Sequence, residues 1–311
     1  MKVQVINILQ RNPTWLTVLL CFILLIWQFF ATALSVNVQI IIFISLILLT
    51  GIPHGALDHL IQEAIYKKLN KTYHLRNFLL KYLLIMAIYA LVWYLFSGLS
   101  LLIFLVISAW HFGETDLEKV PKGVLIWSFT KLIYGFYILS FILLTHVDEV
   151  KPIVFKMVGT QSNLIESWSF IEMNVKPILY LLGLSFTTIF IIAQSQYLIN
   201  FEKERMFRLL IILVSSAYLP LLPAFALYFG GWHALCAFDN IYGYLREDAP
   251  NLSFKYIYLK SLPFTILAIV SLCVFLWYCN VFAASFDPFS ILFIFISLIT
   301  LPHLVITHQM K

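Results

Sequence analysis

The sequence predicts an all-α protein: a polytopic transmembrane helix bundle of about ten spans, forming a single integral membrane domain over residues 1–311. Three observations predict it. Hydrophobic residues make up 62% of the chain and charged residues only 11%, where soluble domains carry about 25% charged residues. A core of this length could not hide so much apolar surface from water, so its solvent must be lipid. The apolar residues fall in runs long enough to cross a bilayer, and the basic residues fall between those runs on one side. The net charge of +5 belongs to loops, without a basic patch carrying interleaved aromatics, so no nucleic-acid partner is expected. Cys21, Cys236, Cys273 and Cys279 form no CxxC pair and read as small apolar residues.

A helix needs roughly 20 residues to cross the hydrocarbon, with its backbone polar groups satisfied internally. Apolar runs at about 14–34, 39–61, 77–96, 124–145, 177–199, 259–281 and 289–308 meet that need. The first runs almost directly into the second, and so reads as a span rather than a cleavable signal. A shorter run, 99–116, ends in Trp110-His111-Phe112-Gly113-Glu114. The stretch 207–245 is too long for one helix and contains Pro220 and Pro223, which predicts a hairpin turning near 222–224. With both termini in the cytoplasm, the cytoplasmic segments hold Lys2, Arg11, Lys67, Lys68, Lys71, Arg76, Lys81, Lys119, Lys122, Lys203, Arg205, Arg208, Arg246, Lys255, Lys260 and Lys311. That is 16 of the 20 basic residues. The positive-inside rule therefore favours ten spans in a cell membrane over nine, which would put Arg246 to Lys260 outside. Residues 146–176 read as the one sizeable external loop.

Ionisable groups are costly inside a bilayer, which makes each a functional candidate. Six of the eight histidines lie in predicted spans, while His74 and His146 read as loop residues at the surface. His54, His111, His233 and His303 all lie on spans running in the same direction. His54, His111 and His303 fall in the cytoplasmic half and His233 near mid-span, so their side chains can converge on one centre, as bundle metal sites do. Carboxylates follow three of them: Asp58, Asp116 and Asp239. Ligating imidazoles usually donate their other N–H to such a group, and Asp58 shares a helix face with His54. Gly51, Gly55, Gly113, Gly230 and Gly231 flank the same sites and allow close helix approach. Trp110 and Trp232 each precede a candidate ligand and would suit the lining of an apolar substrate site. Imidazole donors suit iron or zinc. There is no HExxH box and no HxxHH pair. Two other readings stay open at this point: histidines that only hydrogen-bond between helices, and a proton-coupled transporter using the three aspartates as its relay.

PHGALDH at 53–59, SAWHFGETD at 108–116, GGWH at 230–233 and LPH at 301–303 together resemble the Brp/Blh family of membrane-bound carotenoid 15,15'-dioxygenases, in the family's order. The resemblance spans residues 51 to 303. It implies Fe(II) held by His54, His111 and His233, with O2 adding across the central double bond of β-carotene and cleavage to retinal. A retinal-using opsin becomes a possible partner alongside the lipid bilayer. The family's third motif continues to a second histidine four residues on, where this chain has Ala237. His59 or His303 could then supply the fourth ligand, or three histidines could suffice. A catalytically silent carotenoid- or retinal-binding relative is the remaining alternative.

Overall fold

A computed structural model describes residues 13–160, 162–282 and 287–310. Among the described residues there is no strand, and twelve helices follow one another. These are α1 (Thr14–Ala31), α2 (Val36–Lys68), α3 (Leu75–Leu95), α4 (Ser97–Asp116), α5 (Leu125–Leu144) and α6 (Val147–Val158). They continue as α7 (Ser162–Met173), α8 (Val175–Gln196), α9 (Lys203–Ser216), α10 (Leu221–Asp248), α11 (Phe254–Phe282) and α12 (Pro288–Thr307). Nine of the twelve are long and apolar enough to cross a membrane: all except α6, α7 and α9. Their outward faces carry large apolar side chains, Phe30, Tyr94 and Leu184 among them, exposed as a lipid-facing surface requires.

A hairpin is present, but it turns at 217–220 rather than at the expected 222–224, because Pro220 leads straight into the next helix. Four residues ending in Pro220 join α9 to α10, and the Ser216 hydroxyl reaches the Ala224 carbonyl across the turn at 3.4 Å. Its first arm is short, however: α9 has 14 residues, which at 1.5 Å per residue spans only about 21 Å of a hydrocarbon core about 30 Å thick. Polar Glu204, Arg205 and Arg208 occupy its first half, and Arg208 is buried with its guanidinium 5.4 Å from the Trp15 ring. Lys2, Arg11 and Lys311 of the charge balance lie outside the described residues.

Residues 146–176, expected as an external loop, are largely helical. The reason is amphipathic spacing: Val150 and Met157, seven apart, are buried on one face of α6, and Trp168 of α7 is buried beside them in sequence. His146, expected at the surface, is buried. Its Nδ1 lies 2.7 Å from the Ile142 carbonyl and its Nε2 2.6 Å from the Leu219 carbonyl, so the ring ties the end of α5 to the hairpin turn. Nearby Glu149 accepts from the Leu221 backbone N–H at 3.1 Å, at the first turn of α10. His74 is exposed, as expected.

The closest helix pair is α4 with α5. A Cβ on Gly113 would stand 2.0 Å from the Lys131 carbonyl oxygen, and one on Gly135 would stand 1.7 Å from that of Ala109. Only glycine permits this approach, and it fixes α4, which carries His111. At the helix ends the Lys119 ammonium pairs with Glu202, whose carboxyl it holds below the usual range. Both side chains are half exposed, so the pair contributes little to stability.

Candidate metal centre

Four helices each bring one histidine to the middle of the bundle: His54 from α2, His111 from α4, His233 from α10 and His303 from α12. All four are at least nine-tenths buried. One ring nitrogen from each of His54, His111 and His303 lies within 4.8 Å of the others, a spacing that could hold a metal ion. His233 closes the group, its ring centroid 4.8 Å from that of His111 and 5.5 Å from that of His54. The His303 ring stands 5.1 Å from His54 and 4.9 Å from His111.

Local backbone irregularity places two of these rings. The residues just before His54, Ile47–Gly51, and those around His233, Phe229–Ala234, form π turns, a wide helical turn common at functional sites. Pro53 has no N–H for the Leu49 carbonyl four residues back, and the Tyr258 hydroxyl donates to that carbonyl at 3.2 Å. On α10, the Gly230 carbonyl accepts from the Thr50 hydroxyl at 2.9 Å, and the Gly231 carbonyl from the Thr17 hydroxyl at 2.6 Å. A side chain on Gly231 would collide with Thr17, its Cβ 2.4 Å from Cγ2. The glycines of the GGWH motif thus let α1 and α2 grip the backbone beside His233.

Of the carboxylates, Asp58 departs from the sequence reading, while Asp116, further round its helix from His111, addresses neighbouring helices. Asp58 serves His303 rather than His54: His303 Nδ1 donates to Asp58 Oδ1 at 2.7 Å, and the Tyr82 hydroxyl donates to Oδ2 at 3.2 Å. That fixes the His303 tautomer and turns its Nε2 away from the carboxylate. Asp116 hydrogen-bonds no imidazole. It accepts from Tyr134 at 2.7 Å, Tyr228 at 3.0 Å and the Trp232 indole N–H at 3.1 Å, tying α4, α5 and α10 together one residue from His233. Asp239 is exposed.

His59 points elsewhere. Its Nδ1 is 3.0 Å from the Ala56 carbonyl and its ring packs 4.2 Å from Phe264 on α11. His308 is largely exposed and donates from Nδ1 to the buried Glu114 at 2.9 Å. Trp232 is enclosed in the main core, and half-buried Trp110 lies 6.3 Å from the His308 ring. The apolar neighbours of the centre are instead Phe112 and Phe229, with ring centroids 4.6 Å and 5.8 Å from His233. The sequence held a signal for each: Phe112 follows His111, and Phe229 stands one helical turn before His233.

Both ring nitrogens of His233 and Nε2 of His303 are buried without a hydrogen-bond partner in the protein. Leaving such groups unpaired costs roughly 1–3 kcal/mol each. A cation bound by one nitrogen of each ring removes the cost at that nitrogen, and an all-imidazole donor set fits a first-row transition metal. The residues present therefore fit a metal.

The sequence profile of a family described as Beta-carotene 15,15'-dioxygenase matches residues 45–311. A protein of that same description from an uncultured marine bacterium (66A03) is 39% identical over 79 residues, which cover 25% of this chain and 29% of the relative. The matched stretch is thus under a third of that relative's length. No solved structure matches the chain.

Proposed function

The chain belongs to the beta-carotene 15,15'-dioxygenase family, and on that premise we propose that it uses ferrous iron and O2 to cleave β-carotene, or a close relative, at the central 15,15' double bond, giving retinal. The observation that carries the reading is the convergence of four buried imidazoles from four helices, with the ring nitrogens of His233 and the Nε2 of His303 left without a protein partner.

His54, His111, His233 and His303 would hold the iron, with His303 as the fourth ligand where the family pattern has a histidine and this chain has Ala237. Bound there, iron would supply the activation of O2 for addition across the alkene. The chain's own part is positioning. Asp58 holds His303 by its Nδ1–H, so that Nε2 is the nitrogen offered. Asp116 holds Trp232, and through it the turn that carries His233. Phe112 and Phe229 keep one side of the centre apolar, which suits a hydrocarbon substrate and excludes water from it. The carotenoid would arrive from the bilayer, and retinal would leave the same way to a retinal-using opsin. We place the protein in the cell membrane with both termini cytoplasmic, on the positive-inside distribution.

Expression in cells that make β-carotene tests the reading. Orange colour should fade as extracted retinal rises, and the purified protein should carry about one iron per chain. Unchanged carotenoid with no retinal, from a well-expressed protein, sinks the cleavage activity and leaves a binding relative.

A further inference from the structure

A cavity of about 770 Å³ opens among the loops that follow α4 and α10 and reaches His111. Its position relative to the histidines is regular. Thr115, Ala237 and Thr307 line it, and each stands four residues after a histidine of the centre: His111, His233 and His303. Four residues is about 6 Å along one helix face. The cavity therefore lies one turn beyond the rings of His111, His233 and His303, on the side toward the loops.

Its lining is wrong for a carotenoid. Glu114, Glu118, Asp239 and Glu247 face it together with Lys122 and Arg246, and a hydrocarbon there would strip water from charged groups with nothing in return. Glu114 is paired with His308 and Glu247 with Lys68, and Asp239 and Glu118 are exposed. One helical turn before Ala237 and Thr307 stand His233 and His303, with both ring nitrogens of the first and Nε2 of the second buried and unpartnered. An acidic approach one helical turn from buried imidazole nitrogens suits one kind of traveller.

We propose that this cavity is the passage by which a hydrated divalent cation reaches the four-histidine centre from the aqueous side, drawn in by Asp239 and Glu118. The proposal rests on the metal-centre reading above. Charge lining a cleft with low-dielectric walls raises the on-rate of an oppositely charged ligand by about 10- to 1,000-fold, and salt screens the effect.

The test uses the full chain in detergent, stripped of metal with a chelator, and Co(II) as the probe. Its visible absorption follows uptake in a stopped-flow mixer, and metal analysis measures final occupancy. The double variant Asp239→Asn/Glu118→Gln, and separately the charge reversal Asp239→Lys, should take up Co(II) about tenfold more slowly than wild type at low ionic strength. The gap should close in high salt, with the final occupancy unchanged at one per chain. Both changes are on exposed side chains, so folding is not at stake. Wild-type rates in both variants at low salt would falsify the passage, as expected of a cavity that serves only water or dioxygen. The two readings separate cleanly: a wild-type chain with no Co(II) spectrum that His111→Ala removes defeats the metal centre itself, whereas a normal spectrum with charge-independent rates defeats only the passage.

Discussion

Four imidazoles meet at the centre, but they are not equally held. His303 is fixed by Asp58, which Tyr82 braces in turn, whereas His233 has no partner at either nitrogen within the protein. His303→Ala should therefore be severe, lowering iron retention by more than the 10- to 100-fold typical of losing an outer hydrogen-bond partner. Asp58→Asn should fall within that range, because the ring remains but its tautomer is no longer enforced. His59→Ala should leave iron content untouched, since that ring packs on Phe264. Ala237 lines the cavity one turn from His233, so a histidine there has room to reach the iron from below. Ala237→His added to His303→Ala should restore part of the lost iron, and alone it should change little. Metal analysis of the five purified variants decides, and a His303→Ala variant with full iron would return the centre to three ligands.

At the scale of elements, the decisive contacts are backbone against backbone. The α4–α5 pair depends on Gly113 and Gly135, where a methyl group would overlap a facing carbonyl. Gly113→Ala or Gly135→Ala should push the helices apart, at a cost of about 1–3 kcal/mol typical of overpacking, and should carry His111 out of the cluster. Both stability and iron content should fall together. His146 is the contrasting case, because it lies at the end of α5, away from the rings. His146→Ala leaves the Ile142 and Leu219 carbonyls without their imidazole partner, at a cost of about 1–3 kcal/mol. Thermal unfolding should come earlier in that variant, while iron per folded chain stays at the wild-type value. Loss of iron without loss of stability would mean that the hairpin turn, and not α10 itself, sets the position of His233.

Over the whole molecule, the question is which way the bundle faces. Nine helices are long enough to span and α9 is not, yet the hairpin still reverses the chain before α10. The α10–α11 connection then falls on the same side as the α2–α3 connection, with Arg246 and Lys255 beside Lys67, Lys68 and Lys71. The salt bridge from Lys68 to Glu247 at 2.8 Å joins the ends of α2 and α10 directly, as a shared side demands. A single cysteine at Asn251, in a chain whose four native cysteines are replaced, should react with a membrane-impermeant reagent only after the cells are opened. Labelling of intact cells would reverse the proposed orientation and place the aqueous mouth of the cavity outside.

What the sequence by itself determined was everything that depends on lipid as solvent. Most span positions, the existence of a hairpin within 207–245 and the choice of histidines follow from one local rule: apolar runs must cover the hydrocarbon, and polar groups inside them need a reason. The starts and ends of α3, α4, α5, α8 and α12 lie within about three residues of the apolar runs for that reason, helix length being set by bilayer thickness. The amphipathic helices within 146–176 were legible only as a loop, because their signal is weaker than a span's and mixed with charge. Tertiary structure alone decided which groups meet. Asp58 lies on His54's helix and within one turn of it, yet it serves His303, from 245 residues away. Asp116 follows His111 and binds Tyr134, Tyr228 and Trp232 instead. His59 and His303 were equal candidates in the sequence, and only one of them faces the centre. A one-dimensional pattern carries the depth of a residue and its angle around its own helix. It does not carry which helices are neighbours or how each is rotated against the next, and those two quantities, set here by glycine contacts and threonine bonds to the π turns, choose the partners.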